Sequence, residues 1–310
     1  MSRALIGRIA TACGALVAAG VVVLSGSSGL ASHTEAAPSV RTAAQHETET
    51  PVNVSAPAPQ KYVALGSSYA AGPGGIESLS NRCLRSPDNY PNQVATALGM
   101  SLVDATCSGS TSDNILDRPQ RFTPNPQIDA VTPETSLVTI TTGGNDVGYI
   151  QRLIAMSCRN VAPEVAKEVA ARTCNLGHPI PAEPGPERYA AVEQKMIATV
   201  FAVRQRAPQA RILLVDYPPA VVLGGPTCAK LPLSPSEIEA TIRVFDGLAM
   251  VTAAAAQISG AELITASSAG ADHTVCSTDP WLRGFETPVP YHPNSAGKAA
   301  VAAMIVNAVR

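Results

Sequence analysis

The chain has 310 residues, 45% of them hydrophobic and 15% charged, enough for one large core or two modest ones. Its formal charge is −2 with a pI near 6.2, and no lysine and arginine cluster tracks a phosphate backbone, which excludes nucleic acid as a partner class.

The N-terminus sets Arg3 and Arg8 before an apolar segment from Ile9 to Leu24, followed by small residues at Gly29 and Ala31. That order of charge, apolar core and small-residue exit predicts a secretory signal peptide over residues 1–31, cleaved after Ala31. A spanning anchor needs about 20 apolar residues, more than this segment offers. Residues 32–60, rich in Ala, Pro, Thr and Glu without apolar periodicity, read as a disordered linker, with the sequon-like Asn53-Val54-Ser55 inside it. Loss of Arg3 and Arg8 takes the charge from −2 to −4.

From residue 61 onward strand-type and helical patterns alternate. The predicted strands are Tyr62–Leu65, Leu102–Cys107, Leu137–Thr141, Arg211–Asp216 and Ala261–Ala266. Tyr189, Val192, Met196, Val200 and Val203 recur at helical spacing until Pro208. Ser234-Pro235-Ser236-Glu237 is a capping box with proline in the first turn, opening a helix through Ile238, Ile242 and Phe245. A last helix is expected from Asn294 to about Val309. Such alternation predicts a three-layer α/β/α fold on a five-stranded parallel sheet, with the ligand crevice at the carboxyl ends of the strands.

Of seven cysteines, Cys13 leaves with the signal peptide, and six remain at 83, 107, 158, 174, 228 and 276. An even number in an exported chain argues for three disulfides, and no C-x-x-C spacing suggests zinc or a redox pair. Six cysteines allow fifteen pairings. Pairing in chain order is carried forward: Cys83 with Cys107, Cys158 with Cys174, Cys228 with Cys276.

The predicted carboxyl ends carry Gly66-Ser67-Ser68, Cys107-Ser108-Gly109-Ser110 and Gly143-Gly144-Asn145-Asp146, and a late turn carries Tyr291-His292-Pro293-Asn294. Each alone reads as ordinary turn or cap chemistry. Together they supply a hydroxyl, an imidazole and fixed donors for a developing oxyanion, the parts an acyl-transfer site needs. Between residue 61 and the C-terminus the histidines are His178, His273 and His292, and His273 near Cys276 is the rival base. No G-x-S-x-G elbow and no H-E-x-x-H occurs, which disfavours an α/β-hydrolase or a metalloenzyme.

In order and identity these blocks resemble the SGNH hydrolases, the GDSL family of lipases and esterases, over residues 61–310. The resemblance implies a flavodoxin-like catalytic domain over 61–310, with Ser68 as nucleophile and His292 as base. It implies an oxyanion hole made of the Ser68 amide, the Gly109 amide and the Asn145 side chain, with no metal and no cofactor. The six cysteines and the His-Pro-Asn-x-x-Gly ending look like the secreted actinobacterial branch. Two positions depart from the family pattern: Ser67 stands where aspartate is usual, and Val289 replaces the aspartate expected three residues before the base. The remaining acceptors for the imidazole are the backbone carbonyl of Val289 or Pro290, or the side chains of Asp272, Asp279 and Glu286; the carbonyl avoids burying an unpaired carboxylate.

The function expected is a secreted, monomeric serine ester hydrolase. The single tryptophan, Trp281, and an aromatic content of 4% lean toward lipid or simple acyl esters. A carbohydrate O-acetylesterase, an acyltransferase and a non-catalytic wall or ligand-binding protein are the alternatives; fold alone does not separate them.

Overall fold

The computed structural model describes residues 58–74, 81–170, 174 and 179–310. The expected signal peptide, nearly all of the linker, Asn53 and His178 lie outside the described residues.

The strands are β1 (Lys61–Gly66), β2 (Ser101–Asp104), β3 (Thr135–Thr141), β4 (Arg211–Val215) and β5 (Glu262–Ile264). They form one parallel sheet in the order β2-β1-β3-β4-β5. The period-2 alternation of a strand sorts the side chains of the central strands to two faces. Val63, Leu65, Val138, Ile140, Ile212 and Leu214 enter the larger core. Tyr62, Ala64, Leu137, Leu213 and Val215 enter the smaller one. Both faces are covered, so the central strands read as unbroken apolar runs.

The helices are α1 (Ser68–Ala71), α2 (Tyr90–Leu98), α3 (Ser112–Leu116), α4 (Tyr149–Asn160), α5 (Pro163–Ala170), α6 (Pro186–Arg206), α7 (Pro235–Ser259), α8 (Ala266–Ala269) and α9 (Ser295–Val309). Tyr90 and Val94 of α2 join Val301 and Ile305 of α9 on the smaller face. Leu153 of α4, Val192 and Val200 of α6, and Val244 and Leu248 of α7 cover the larger. Local chemistry starts these helices where the sequence predicts. Ser234 and Glu237 form the capping box of α7, and Asn294 caps α9 by accepting from the Gly297 amide at 2.9 Å.

Three predicted strands run past those observed, the fourth by the single residue Asp216. The second ends at Asp104, because the Asp104 carboxylate accepts from the Thr106 amide at 3.0 Å and from its hydroxyl at 2.6 Å, turning the chain. The fifth covers only Glu262–Ile264, the length that pairs with β4 before α8 begins.

Disulfides join Cys83 to Cys107, Cys158 to Cys174 and Cys228 to Cys276, the pairs of chain order. The first ties the loop after α1 to the loop after β2. Among the described residues no helix is long and apolar enough to cross a membrane.

Candidate active site

In the strand order 2-1-3-4-5 the chain reverses direction of winding between β1 and β3, the switch point at which open parallel sheets place their ligand sites, beyond the carboxyl ends. Ser68 follows β1 and Asn145 follows β3.

The turn after β1 is fixed through its backbone. Gly66 has φ +152°, and a Cβ there would lie 2.6 Å from the Thr141 carbonyl oxygen, so only glycine fits. The buried Gln127 side chain holds this residue from both sides: its Oε1 accepts from the Gly66 amide at 2.7 Å and its Nε2 donates to the Gly66 carbonyl at 3.0 Å. The Ser67 amide donates to Thr141 at 3.0 Å. Ser67 Oγ turns inward, 3.2 Å from the Tyr217 hydroxyl. Burial pushes the Tyr217 phenol up to about 12, so the pair is two neutral hydroxyls. Ser68 is the first residue of α1 and is 8% exposed.

His292 reaches Ser68 from the far end of the sequence. Its Nε2 lies 2.8 Å from Ser68 Oγ, and its Nδ1 lies 2.8 Å from the Pro290 carbonyl oxygen. A carbonyl can only accept, so Nδ1 carries the proton and Nε2 presents its lone pair to the serine hydroxyl. Burial lowers the His292 pKa to about 4, the Pro290 carbonyl opposes that shift, and the nearby Arg283 charge adds to it. The imidazole is therefore neutral at pH 7.

The loop carrying His292 has no strand ladder to hold it. An isolated antiparallel bridge joins Leu282 to Pro293, and the Arg283 amide donates to the His292 carbonyl at 3.0 Å. The Tyr69 hydroxyl donates to the Tyr291 carbonyl at 2.7 Å. Tyr291, fully buried at φ +59°, places its hydroxyl 2.5 Å from Ser157 Oγ. The Tyr69 ring lies 4.6 Å from Tyr217 and 5.5 Å from His292, centroid to centroid, walling the imidazole from one side.

Gly109, at φ +84°, is exposed on the loop after β2. Asn145 Nδ2 donates to the Ser110 carbonyl at 2.8 Å, and Asn145 Oδ1 accepts from Gln151 Nε2 at 2.6 Å, which fixes which end of the carboxamide donates. Asp146 accepts from the Ser112 amide at 3.0 Å and from its hydroxyl at 2.7 Å; burial raises its pKa, and its work is to anchor the start of α3. Beside Asn145 opens a cleft of about 610 Å³, lined by Gln151 and by residues of the 181–191 segment including Pro181, Glu187 and Arg188.

The remaining candidates are engaged elsewhere. His273 stacks on Trp281 with centroids 4.4 Å apart, and its Nδ1 meets the Asp279 carbonyl at 2.8 Å. Glu286 pairs with Lys230 at 3.0 Å, and Asp272 is exposed. Among the described residues none of these three acids bonds to His292. Sequence reasoning missed Gln127, Tyr69, Tyr217 and Tyr291. Tyr217 stood at a strand's carboxyl end, Tyr69 beside Ser68 and Tyr291 beside His292, but no pattern gave their roles; nothing local marked Gln127. No group of three or more His, Cys, Asp or Glu side chains that could hold a metal occurs among the described residues.

The GDSL-like Lipase/Acylhydrolase family matches residues 64–300. The chain is 32% identical to Lipase 2 of Streptomyces coelicolor over 253 residues, 78% of this chain and 83% of that protein. The crystal structure of an extracellular lipase from Streptomyces rimosus superposes with a TM-score of 0.62 at 27% identity, covering 81% of this chain and 99% of that one. A phospholipase A1 from Streptomyces albidoflavus superposes with a TM-score of 0.59 at 26% identity, over 81% and 99% of the two chains.

Proposed function

The chain belongs to the GDSL-like lipase/acylhydrolase family and is a carboxylic ester hydrolase; on that premise we propose that it is exported and cleaves lipid or simple acyl esters through a covalent acyl-enzyme on Ser68. The observation that carries this reading is the contact chain from Ser68 Oγ through His292 to the Pro290 carbonyl, 2.8 Å at each step.

His292, neutral and lone pair forward, accepts the Ser68 proton as Oγ attacks the ester carbonyl. The imidazolium that forms keeps its Nδ1 proton on Pro290, and a neutral carbonyl does the orienting that a carboxylate does in a triad. Negative charge gathers on the former carbonyl oxygen, met by the Ser68 and Gly109 amides and Asn145 Nδ2. His292 then returns the proton to the departing alcohol, and water repeats the sequence to release the acid. The cleft beside Asn145 takes one arm of the ester.

Export is supported by the leader-like N-terminus, by three disulfides in a small domain, and by the extracellular origin of the S. rimosus relative. The lipid preference is supported by relatives described as lipases and a phospholipase A1. Chromogenic esters of graded chain length, run beside a serine-directed phosphonate, test the proposal. Turnover with label on Ser68 is expected. A folded protein that neither turns over nor takes label would overturn it.

A further inference from the structure

The loops framing Gly109 present a surface that ester cleavage itself does not use. Arg82, Arg121 and Phe122 are exposed, Phe122 to 47%, and the two guanidinium carbons lie 5.4 and 5.5 Å from the Phe122 ring centroid. Both loops are pinned against the Gly109 segment. Arg82 precedes Cys83, which is bonded to Cys107 and whose carbonyl accepts from the Ser108 amide at 2.9 Å. Arg121 and Phe122 follow Gln120, whose Nε2 donates to the Ser108 carbonyl at 2.7 Å and lies 3.4 Å from where a Cβ at 109 would stand. The cluster therefore sits at the mouth of the site.

Among the described residues no carboxylate balances its charge. Arg118, close in sequence, pairs with Asp113 at 2.6 Å, and Lys195 pairs with Asp113 at 2.9 Å, whereas among the described residues neither Arg82 nor Arg121 forms an ion pair with a carboxylate. On the loop after β4, which leaves the same edge of the sheet, Leu223 is 84% exposed. A ring held between two exposed guanidinium groups suits an interface that is apolar below and anionic above: the ring enters the acyl boundary, and the arginines pair with phosphates.

We propose that Arg82, Arg121 and Phe122 form a docking surface for an anionic lipid bilayer, which presents lipid esters to Ser68. The proposal rests on the lipid-ester reading above, and its test separates the two. Ser68→Ala protein, which leaves the vesicles intact, is co-sedimented with vesicles of phosphatidylcholine alone or mixed with phosphatidylglycerol. Binding should favour the mixed vesicles and weaken with salt. Arg82→Gln with Arg121→Gln should weaken it roughly 30-fold, the effect of two interfacial cations. Phe122→Ala should weaken binding to both vesicle types. With Ser68 restored, the arginine variant should keep its turnover of a soluble short-chain ester. Equal vesicle binding by the variants, or no binding at all, overturns the docking surface even if soluble ester is cleaved. So does a dimer that Phe122→Ala dissociates, which would give the patch to a second copy. Failure to cleave soluble ester by the unsubstituted enzyme overturns the hydrolase reading instead.

Discussion

The turn that carries Ser68 and the loop that carries His292 meet at one 2.8 Å contact, but they are built differently. The first is the end of a central strand: sheet register, the Thr141 carbonyl and the Gln127 clamp fix Gly66 and Ser67 almost wholly through backbone atoms. The second is a loop with one isolated bridge and a few backbone bonds, Arg283 to His292 at 3.0 Å and Tyr291 to Gly284 at 3.2 Å among them, and it leans in addition on side chains: Tyr69 on the Tyr291 carbonyl, Ser157 against the Tyr291 hydroxyl, and its own Asn294 on the Pro280 carbonyl at 2.6 Å. The base, with no strand ladder and more side-chain support, is therefore the easier of the two to misplace by substitution. Substitutions on the two sides should separate accordingly.

The largest effect falls on the chemistry itself. Ser68→Ala should lower turnover by about 10⁶ and abolish phosphonate labelling with the melting temperature unchanged, while Ser67→Ala keeps substantial activity because its Oγ faces Tyr217. Label on position 67 would misregister the turn. Asn145→Ala should lower kcat by about 10² to 10³ with little change in KM, the loss expected for one oxyanion donor.

On the side of the base, Tyr69→Phe removes the donor to the Tyr291 carbonyl. A kcat fall of roughly tenfold and a stability loss of about 1 kcal/mol are expected, read by steady-state kinetics and thermal melting. An equally large kcat loss from a conservative change that leaves the Ser68 turn's backbone bonds intact would erase the contrast between the two regions.

The pH dependence sharpens the same contrast. With the His292 pKa lowered to about 4, kcat/KM should hold from neutrality down to that pH and fall below it, where an ordinary histidine would already be lost near 6.5. In the unfolded chain His292 binds its proton below about 6.5, and in the fold only below about 4. The unfolded state thus holds more protons in between, and stability falls as pH drops through that window. Arg283→Gln should move the acid limb of the rate profile upward, because it removes a neighbouring positive charge.

The same division decides what was legible in the sequence. Strands buried on both faces announce themselves as apolar runs, and Gly66, Asn294 and the Ser234 capping box are local signals with local causes. The parallel sheet, its carboxyl-edge site and the resemblance carried by four short blocks followed from these. Strand ends did not, since Asp104 stops β2 by a side-chain bond to Thr106 that an apolar run conceals. The roles of Gln127, Tyr217 and Tyr291 were hidden for a different reason: they act across sequence separations of 61, 150 and 134 residues respectively, and each partner is a backbone group or a hydroxyl with no pattern of its own. The acceptor for His292 lay between these cases, since Val289 removed the usual carboxylate and left a carbonyl or a distant acid open.

That acceptor is the centre of the account, and one set of rate constants tests it. Asp272→Asn, Asp279→Asn and Glu286→Gln neutralise each acid near His292 in sequence, of which Glu286 pairs with Lys230 and Asp279 contacts His273. If the Pro290 carbonyl alone orients the imidazole, each variant keeps most of the unsubstituted kcat on a soluble ester. A fall of about 10⁴ in any one of them, the loss expected when a triad acid is neutralised, would name that residue as the third member and contradict the dyad.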